Sequence, residues 1–214
     1  IESFITADRY GPYTICNLYY DTINDDLISR SIQKPKYKEK LRLRSYGVPE
    51  EEDAVFLEIK RKYRGTVYKR RISLTLEAAK RYLEQGQKPR VNPQILREID
   101  YFIGFHRPIP KLYLAYERSA FFGAGDGHLR ITFDRNIRSR THELQLEAGD
   151  HGTPFWDGDY HLMEIKVSSA AFPLWLVRIL SELMIYPMSF SKYGKIFMRN
   201  LAERKEETQC LQAY

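Results

Sequence analysis

In Lys40-Leu41-Arg42-Leu43-Arg44, an apolar residue alternates strictly with a cation. Strict alternation is typical of a β-strand with two chemically different faces, because successive side chains point to opposite sides of a sheet. The segments 57–62, 67–72, 129–133 and 163–167 follow the same pattern, the second of them less regularly. The charged positions in phase are Lys40, Arg42, Arg44, Lys60, Lys62, Lys69, Arg71, Arg130 and Lys166, with Glu58 and Glu164 as the acids.

A charged face on one strand is most simply the solvated side of an antiparallel sheet. Several such strands together weaken that interpretation, because like charges repel each other across neighbouring strands. The arginines indicate an anion, since the planar guanidinium binds phosphate through two parallel hydrogen bonds. If the sheet closes into a barrel with the charged face inward, a bound anion offsets the repulsion, and each charge-assisted contact contributes about 1.5–3 kcal/mol.

The sequence therefore predicts an α+β fold, a closed antiparallel β-barrel tunnel with helices packed on its apolar outside. The two acids then need a role among so many cations. Glu164 and Glu58 are the candidate ligands of a divalent metal that bridges phosphate oxygens.

Composition restricts the class of protein and its partners. The chain has 214 residues, a formal net charge of +6 and a pI near 9.2, which favours anionic partners. Only Cys16 and Cys210 are present, so we expect no disulfide framework and a reducing, cytoplasmic compartment. The most apolar segment, 170–188, contains two prolines and two charges, so we expect no membrane span.

Periodicity and capping signals predict one domain over residues 1–214, with 203–214 as a frayed tail. Asn24 or Asp25, Thr75 and Asn92 are the candidate helix caps. The Gly123–Gly127 segment is predicted to be a hairpin turn, because it lacks the spacing of a phosphate loop. The predicted strands are 14–21, 39–46, 55–62, 66–74, 112–122, 128–134, 141–146 and 160–167, and the predicted helices are 24–31, 75–85, 93–105, 169–186 and 192–204.

The chain resembles the VTC domain, the polyphosphate-polymerase domain of the CYTH-like triphosphate tunnel metalloenzymes. The resemblance rests on YKEKLRLRSYG (37–47), FLEIKRKYRGTVYKRR (56–71), YERSAF (116–121), LRITFDRNI (129–137), LMEIKV (162–167) and FSKYGKIF (190–197). It implies a tunnel of about eight strands. It also implies transfer of the γ-phosphoryl group of ATP onto a polyphosphate chain, with Mn²⁺ or Mg²⁺ as cofactor.

The resemblance also assigns roles to residues of this chain. Arg118 is a phosphate ligand and catalytic residue, Glu164 is the metal-binding and catalytic glutamate, and Lys192 is a catalytic residue near the reacting phosphate. Family members begin with a further strand that carries acidic and basic residues, and we expect that strand to be absent from this sequence. The implied phosphate-binding residues are Arg42, Arg44, Lys60, Lys69 or Arg71, Arg118 and Arg130, to which the alternation pattern adds Lys40, Lys62 and Lys166.

Two alternative functions remain open at this stage. The same site with water as acceptor would make an inorganic triphosphatase that hydrolyses tripolyphosphate. A non-catalytic module that binds polyphosphate is the other alternative. Nucleic acid is not an expected partner, because the basic positions are flanked mostly by leucine and isoleucine rather than by the aromatic residues that stack on bases.

Overall fold

The computed structural model describes residues 4–124, 126–168 and 171–212. It contains nine strands and five helices in these residues. The strands are β1 (Ile5–Ala7), β2 (Tyr13–Asp21), β3 (Tyr37–Tyr46), β4 (Ala54–Tyr63), β5 (Thr66–Thr75), β6 (Ile109–Gly123), β7 (Asp126–Arg140), β8 (Thr153–Pro154) and β9 (Leu162–Val167). The helices are α1 (Asp26–Ile32), α2 (Leu76–Gln85), α3 (Pro93–His106), α4 (Leu174–Glu182) and α5 (Lys192–Gln212).

All nine strands form one antiparallel sheet, so the predicted α+β class is confirmed. The strand order is β5-β4-β3-β2-β6-β7-β8, with β1 paired to β6 and β9 paired to β7. The predicted closure of this sheet into a barrel is wrong, because no backbone pairing joins β5 to β8 or β9 within the described part of the chain. The sheet is therefore open and curved, with β5 at one edge and β8 and β9 at the other.

The register places the predicted charged positions on one face of this sheet. Arg42 lies opposite Glu58, and Lys60 lies between Lys40 and Lys69. Lys60 on β4 lies close enough to Glu164 and Lys166 on β9 for their charges to act on its pKa, which indicates that the sheet curves toward this face and makes it concave. In a flat sheet, five strand spacings would keep these two strands about 24 Å apart.

The opposite, convex face is apolar and carries the largest hydrophobic core. Leu41, Leu43, Leu57 and Ile59 are at most 2% exposed there. Helices α2 and α3 cover them, and both helices start at the predicted side-chain caps: Thr75 accepts from Ala78 N, and Asn92 accepts from Gln94 N and Ile95 N. Helix α4 covers the same face of β7 and β9 through Leu176, which packs on Leu129 and Ile131.

A third core fills part of the concave face. Leu112 and Leu114 of β6 share the inward phase of Arg118, and they pack against Ile28 of α1 and against Tyr193 and Ile196 of α5. Helices α1 and α5 therefore close one side of the concavity. This packing brings the start of α5 against the charged face.

Several local predictions differ from the structure. The segment 141–146 is a series of bends and not the predicted strand. The chain curls around the Arg140 guanidinium, which donates hydrogen bonds to the carbonyl oxygens of Glu143, Gln145, Gly149 and His151. Helix α4 begins at Leu174, whereas the predicted start near 169 lies outside the described residues. Helix α5 continues past its predicted end at 204 to Gln212.

The cap of α1 also differs from the prediction. Asp25 has a left-handed backbone (φ 60°) and makes no side-chain cap bond. The hydroxyl of Thr22 accepts from Asp26 N instead, and the Asp21 carboxylate accepts from Leu27 N and Ile28 N. The end of β2 thus caps the helix that follows it.

Among the described residues, no helix is long and apolar enough to cross a bilayer.

Candidate active site

One centre of the concave face is the buried carboxylate of Glu58, whose side chain is 1% exposed. Arg42 Nε and Nη2 lie 2.7 Å and 2.6 Å from Glu58 Oε2, and Lys69 Nζ lies 2.6 Å from Oε1. Arg44 Nε approaches the same carboxylate at 3.9 Å. Burial alone would raise the pKa of Glu58, but the three cations outweigh burial and lower this pKa to about 2.

These contacts bear on the prediction that Glu58 binds metal. Both of its oxygens face cations, which a metal ion would have to displace. The geometry favours Glu58 as the counter-ion that orients Arg42, Arg44 and Lys69 toward a common ligand.

Tyr19 and Asn17 of β2 support the same arginines. Arg42 Nη1 donates to the Tyr19 hydroxyl at 3.1 Å, and Arg44 Nε donates to Asn17 Oδ1 at 3.0 Å. Burial would raise the pKa of Tyr19, but Arg42, Arg44 and Lys40 outweigh it and lower this pKa to about 8. Three cations therefore lie close enough to the Tyr19 hydroxyl to favour its ionised form.

The second centre is Asp134 on β7, which is also 1% exposed. Arg118 donates to both of its oxygens, at 2.6 Å and 2.8 Å, and Lys192 Nζ lies 2.6 Å from Oδ2. The Lys192 ammonium also lies 4.5 Å from the ring centroid of Tyr116. Burial would raise the pKa of Asp134, but Arg118 and Lys192 outweigh it, so this pKa is lowered.

The third part of the site lies where β7 pairs with β9. The register sets Thr132 opposite Glu164 and Arg130 opposite Lys166. The Glu164 carboxylate is about half exposed and pairs with Lys166 at 3.1 Å. Burial would raise its pKa, but Lys166, Arg118 and Lys192 outweigh it, so the pKa of Glu164 is lowered and the group stays anionic.

Two buried polar atoms in this third part have no hydrogen-bond partner, Arg130 Nε and Thr132 Oγ1. Buried polar groups are normally satisfied, so such atoms indicate room for a bound polar group. Thr132 Oγ1 and the anionic Glu164 fit a divalent ion that would take its remaining ligands from water and phosphate oxygens, as Mg²⁺ commonly does, whereas the cationic Arg130 N–H fits a phosphate oxygen. A cage made by the protein alone is not present, since the described residues contain no cluster of three His, Cys, Asp or Glu side chains.

Much of the cationic charge on the concave face has no carboxylate partner. Within the described residues, the ion pairs of this face leave out Lys40, Lys60, Lys62, Arg71 and Arg130. Burial is the largest cause of the lowered pKa of Lys40 and Lys60. Desolvated cations without counter-ions favour the binding of an anion.

All the predicted site residues lie on or beside this face. Lys40, Arg42, Arg44, Lys60, Lys62, Lys69 and Arg71 form one side of it, and Arg118, Arg130, Glu164, Lys166 and Lys192 form the other. Sequence reasoning missed Asp134, Tyr19, Asn17 and Tyr116. Asp134 had a usable signal, because it follows Arg130 and Thr132 at the same alternating phase.

Comparisons with known proteins give a family for this chain and similar folds among solved structures. The family model of the VTC domain matches residues 3–197. No curated protein matches the chain by sequence. A candidate adenylate cyclase from Bacillus halodurans has a similar structure, with a TM-score of 0.54 at 16% identity over 86% of this chain and 81% of that one.

Two other solved structures match less closely. One is a candidate adenylyl cyclase from Hippeastrum with a dominant triphosphatase activity, at a TM-score of 0.46 and 17% identity over 81% of this chain and 73% of that one. The other is a protein of Pyrococcus horikoshii, at a TM-score of 0.43 and 13% identity over 93% of this chain and 89% of that one.

Proposed function

The chain belongs to the VTC domain family, and from this premise we propose that it is a metal-dependent phosphotransferase that binds a triphosphate on the concave face. Its specific activity, in this proposal, is polyphosphate polymerisation: the γ-phosphoryl group of ATP passes to the end of a phosphate chain. Mn²⁺ or Mg²⁺ is the proposed cofactor.

The observation that carries the proposal is the excess of cations over carboxylates on one concave face. Glu58, Asp134 and Glu164 are its acids, and each already contacts at least one cation. A phosphoryl group moves through a transition state with little covalent chemistry for the protein to perform, so catalysis depends on alignment and charge neutralisation. A face of oriented guanidinium and ammonium groups supplies both.

The proposed roles follow from the three parts of the site. Arg42 and Arg44 hold the triphosphate oxygens, because Glu58 orients their guanidinium groups. Arg118 and Lys192 flank the reacting phosphate from the Asp134 side, and Lys192 neutralises charge that develops there. Glu164 would hold the metal, which supplies further charge neutralisation on the phosphate oxygens when it is bound.

The length of the cationic face favours a polymer over a single triphosphate. Lys38 and Lys62 lie opposite each other, six residues along β3 from Arg44. At about 3.4 Å per strand residue, the face extends about 20 Å along β3. Burial and the neighbouring Lys62 and Lys60 lower the pKa of Lys38, so this end of the face also disfavours unneutralised charge.

The proposal is tested by incubating the protein with γ-labelled ATP and Mn²⁺, then separating the products by gel electrophoresis. A ladder of long phosphate polymers is the expected result. Release of labelled orthophosphate without polymer would instead support the triphosphatase alternative, in which water is the acceptor. If an intact protein forms neither polymer nor orthophosphate, that result would contradict an enzymatic function.

Substituting Lys38 and Lys62 with alanine together should shorten the polymer several-fold while tripolyphosphate hydrolysis changes less than about twofold. The two lysines lie away from Asp134 and Glu164, so their loss weakens only the hold on a longer anion. The measurement is the product length distribution beside the initial rate of hydrolysis. A matched control removes Lys80 and Lys88, which pair with Glu147 and Asp100 outside the concave face. Equal shortening in the control would contradict a specific role for this end of the face.

A further inference from the structure

The first turn of α5 is anchored by Tyr193, which is 4% exposed and follows Lys192 in the chain. Its hydroxyl donates to Asp21 Oδ2 at 3.2 Å. Its ring lies 4.8 Å from the ring of Tyr19, and Lys40 Nζ lies 5.6 Å from its centroid on the concave face. Three separate contacts therefore fix the position of this side chain.

The acceptor, Asp21, is fully buried at the end of β2. Its Oδ1 accepts from the backbone N–H groups of Thr22 and Leu27, and its Oδ2 accepts from Ile28 N and from the Tyr193 hydroxyl. One carboxylate thus joins β2, α1 and α5. Because its other three bonds are to backbone groups of one short segment, the position of Asp21 is set by the chain around it.

This anchor bears directly on Lys192. A lysine has a flexible four-carbon stem, so the backbone that carries it largely determines where its ammonium group lies. Helix ends fray unless they are held, and Lys192 is the first residue of α5. The tyrosine beside it holds that end in place while Lys192 Nζ lies 2.6 Å from Asp134 and above the Tyr116 ring.

We propose that Tyr193 is a positioning residue for phosphoryl transfer: its hydrogen bond to Asp21 and its packing on Tyr19 keep the Lys192 ammonium at the reacting phosphate. Tyr193 itself does not need to touch the substrate. This inference rests on the proposed function of the site, and it adds a residue pair far apart in the chain, Asp21 and Tyr193, to the residues on which turnover depends.

The test is Tyr193→Phe, which removes the hydroxyl and keeps the ring. With tripolyphosphate or ATP and Mn²⁺ as the probes, kcat should fall about tenfold while KM stays within about twofold, because Lys192 then loses its alignment in the transition state. A purely structural tyrosine would lower the melting temperature and leave kcat unchanged.

Tyr82→Phe is the matched control. The Tyr82 hydroxyl donates to Asp100 at 2.6 Å, and this buried tyrosine lies in the core under the convex face. Its loss should lower thermal stability to a comparable extent without changing kcat. If both variants lose the same fraction of kcat, the effect is one of stability and the inference is overturned.

A double-mutant cycle with Lys192→Ala separates positioning from other effects. If Tyr193 acts through Lys192, removing the Tyr193 hydroxyl in the Lys192→Ala background should lower kcat by less than about twofold. Additive losses would overturn the inference while leaving the proposed function intact. If the wild-type protein binds tripolyphosphate without turning it over, the proposed function fails, and this inference fails with it. A protein that neither turns over nor binds tripolyphosphate overturns both proposals.

Discussion

Glu164→Gln should reduce metal-dependent turnover by about 1,000-fold. Glutamine has the same size but no charge, so it would hold a divalent ion beside Thr132 much more weakly. Binding of tripolyphosphate in the presence of a chelator should be equal or tighter, because the substitution removes a negative charge from a cationic face. Initial rates with Mn²⁺ or Mg²⁺ and isothermal titration calorimetry measure the two quantities on one protein preparation.

A matched control for this substitution is Glu117→Gln. Glu117 is also a partly exposed strand residue in an ion pair, with Arg135 at 2.9 Å. It is one residue out of phase with Arg118, so it lies on the other face of β6. Turnover in the control should match the wild type. Turnover by Glu164→Gln within about threefold of the wild type would contradict a metal-binding role for Glu164.

Glu58→Gln should lower the free energy of unfolding by about 3 kcal/mol, because it leaves the largely buried Arg42 and Arg44, and the half-exposed Lys69, without their shared counter-ion. A bound polyanion replaces the lost charge. Tripolyphosphate should therefore raise the melting temperature of the variant by more than it raises that of the wild type. Thermal unfolding with and without tripolyphosphate measures this difference.

The acid side of the stability profile provides a second measurement on the same variant. The pKa of Glu58 is about 2 in the folded protein, below the ordinary glutamate value of 4.5. Its stabilisation is thus fully present above pH 4.5 and is lost as the pH falls toward about 2. The variant should lose less stability than the wild type across this interval.

The control for Glu58 is Glu77→Gln, which removes an exposed carboxylate paired with Arg81 on α2. Exposed pairs contribute little, so its effect should stay below about 1 kcal/mol. A Glu58→Gln protein as stable as this control, with the same response to tripolyphosphate, would show that the three cations do not depend on Glu58.

The sequence was sufficient to predict which side chains share a face. Alternation in Lys40–Arg44 determines the two faces of β3, and the same rule extends to β4 and β7, because the period of a strand does not depend on its neighbours. Arg42 and Glu58 lie on the same face, as that local pattern predicts, whereas their pairing depends on the register between β3 and β4. Asp134 was missed although it obeys the same rule as Arg130.

Features that depend on distant parts of the chain were not predictable. Asp21 contacts Tyr193 across 172 residues, and no local signal relates the two. Local capping rules predict Asn24 or Asp25 as the cap of α1, whereas the structure uses Asp21 and Thr22. Closure was expected because charge repulsion favoured an enclosed anion, but repulsion does not determine which strand edges pair.

The two unpaired edges of the sheet have a mechanical consequence. In a closed barrel, the number of strands and their stagger determine the diameter. Within the part of the chain that the structure describes, no backbone pairing joins the edge strands β5 and β9. The distance between these edges can therefore change without breaking an interstrand hydrogen bond. The concave face can accordingly widen or narrow around anions of different size.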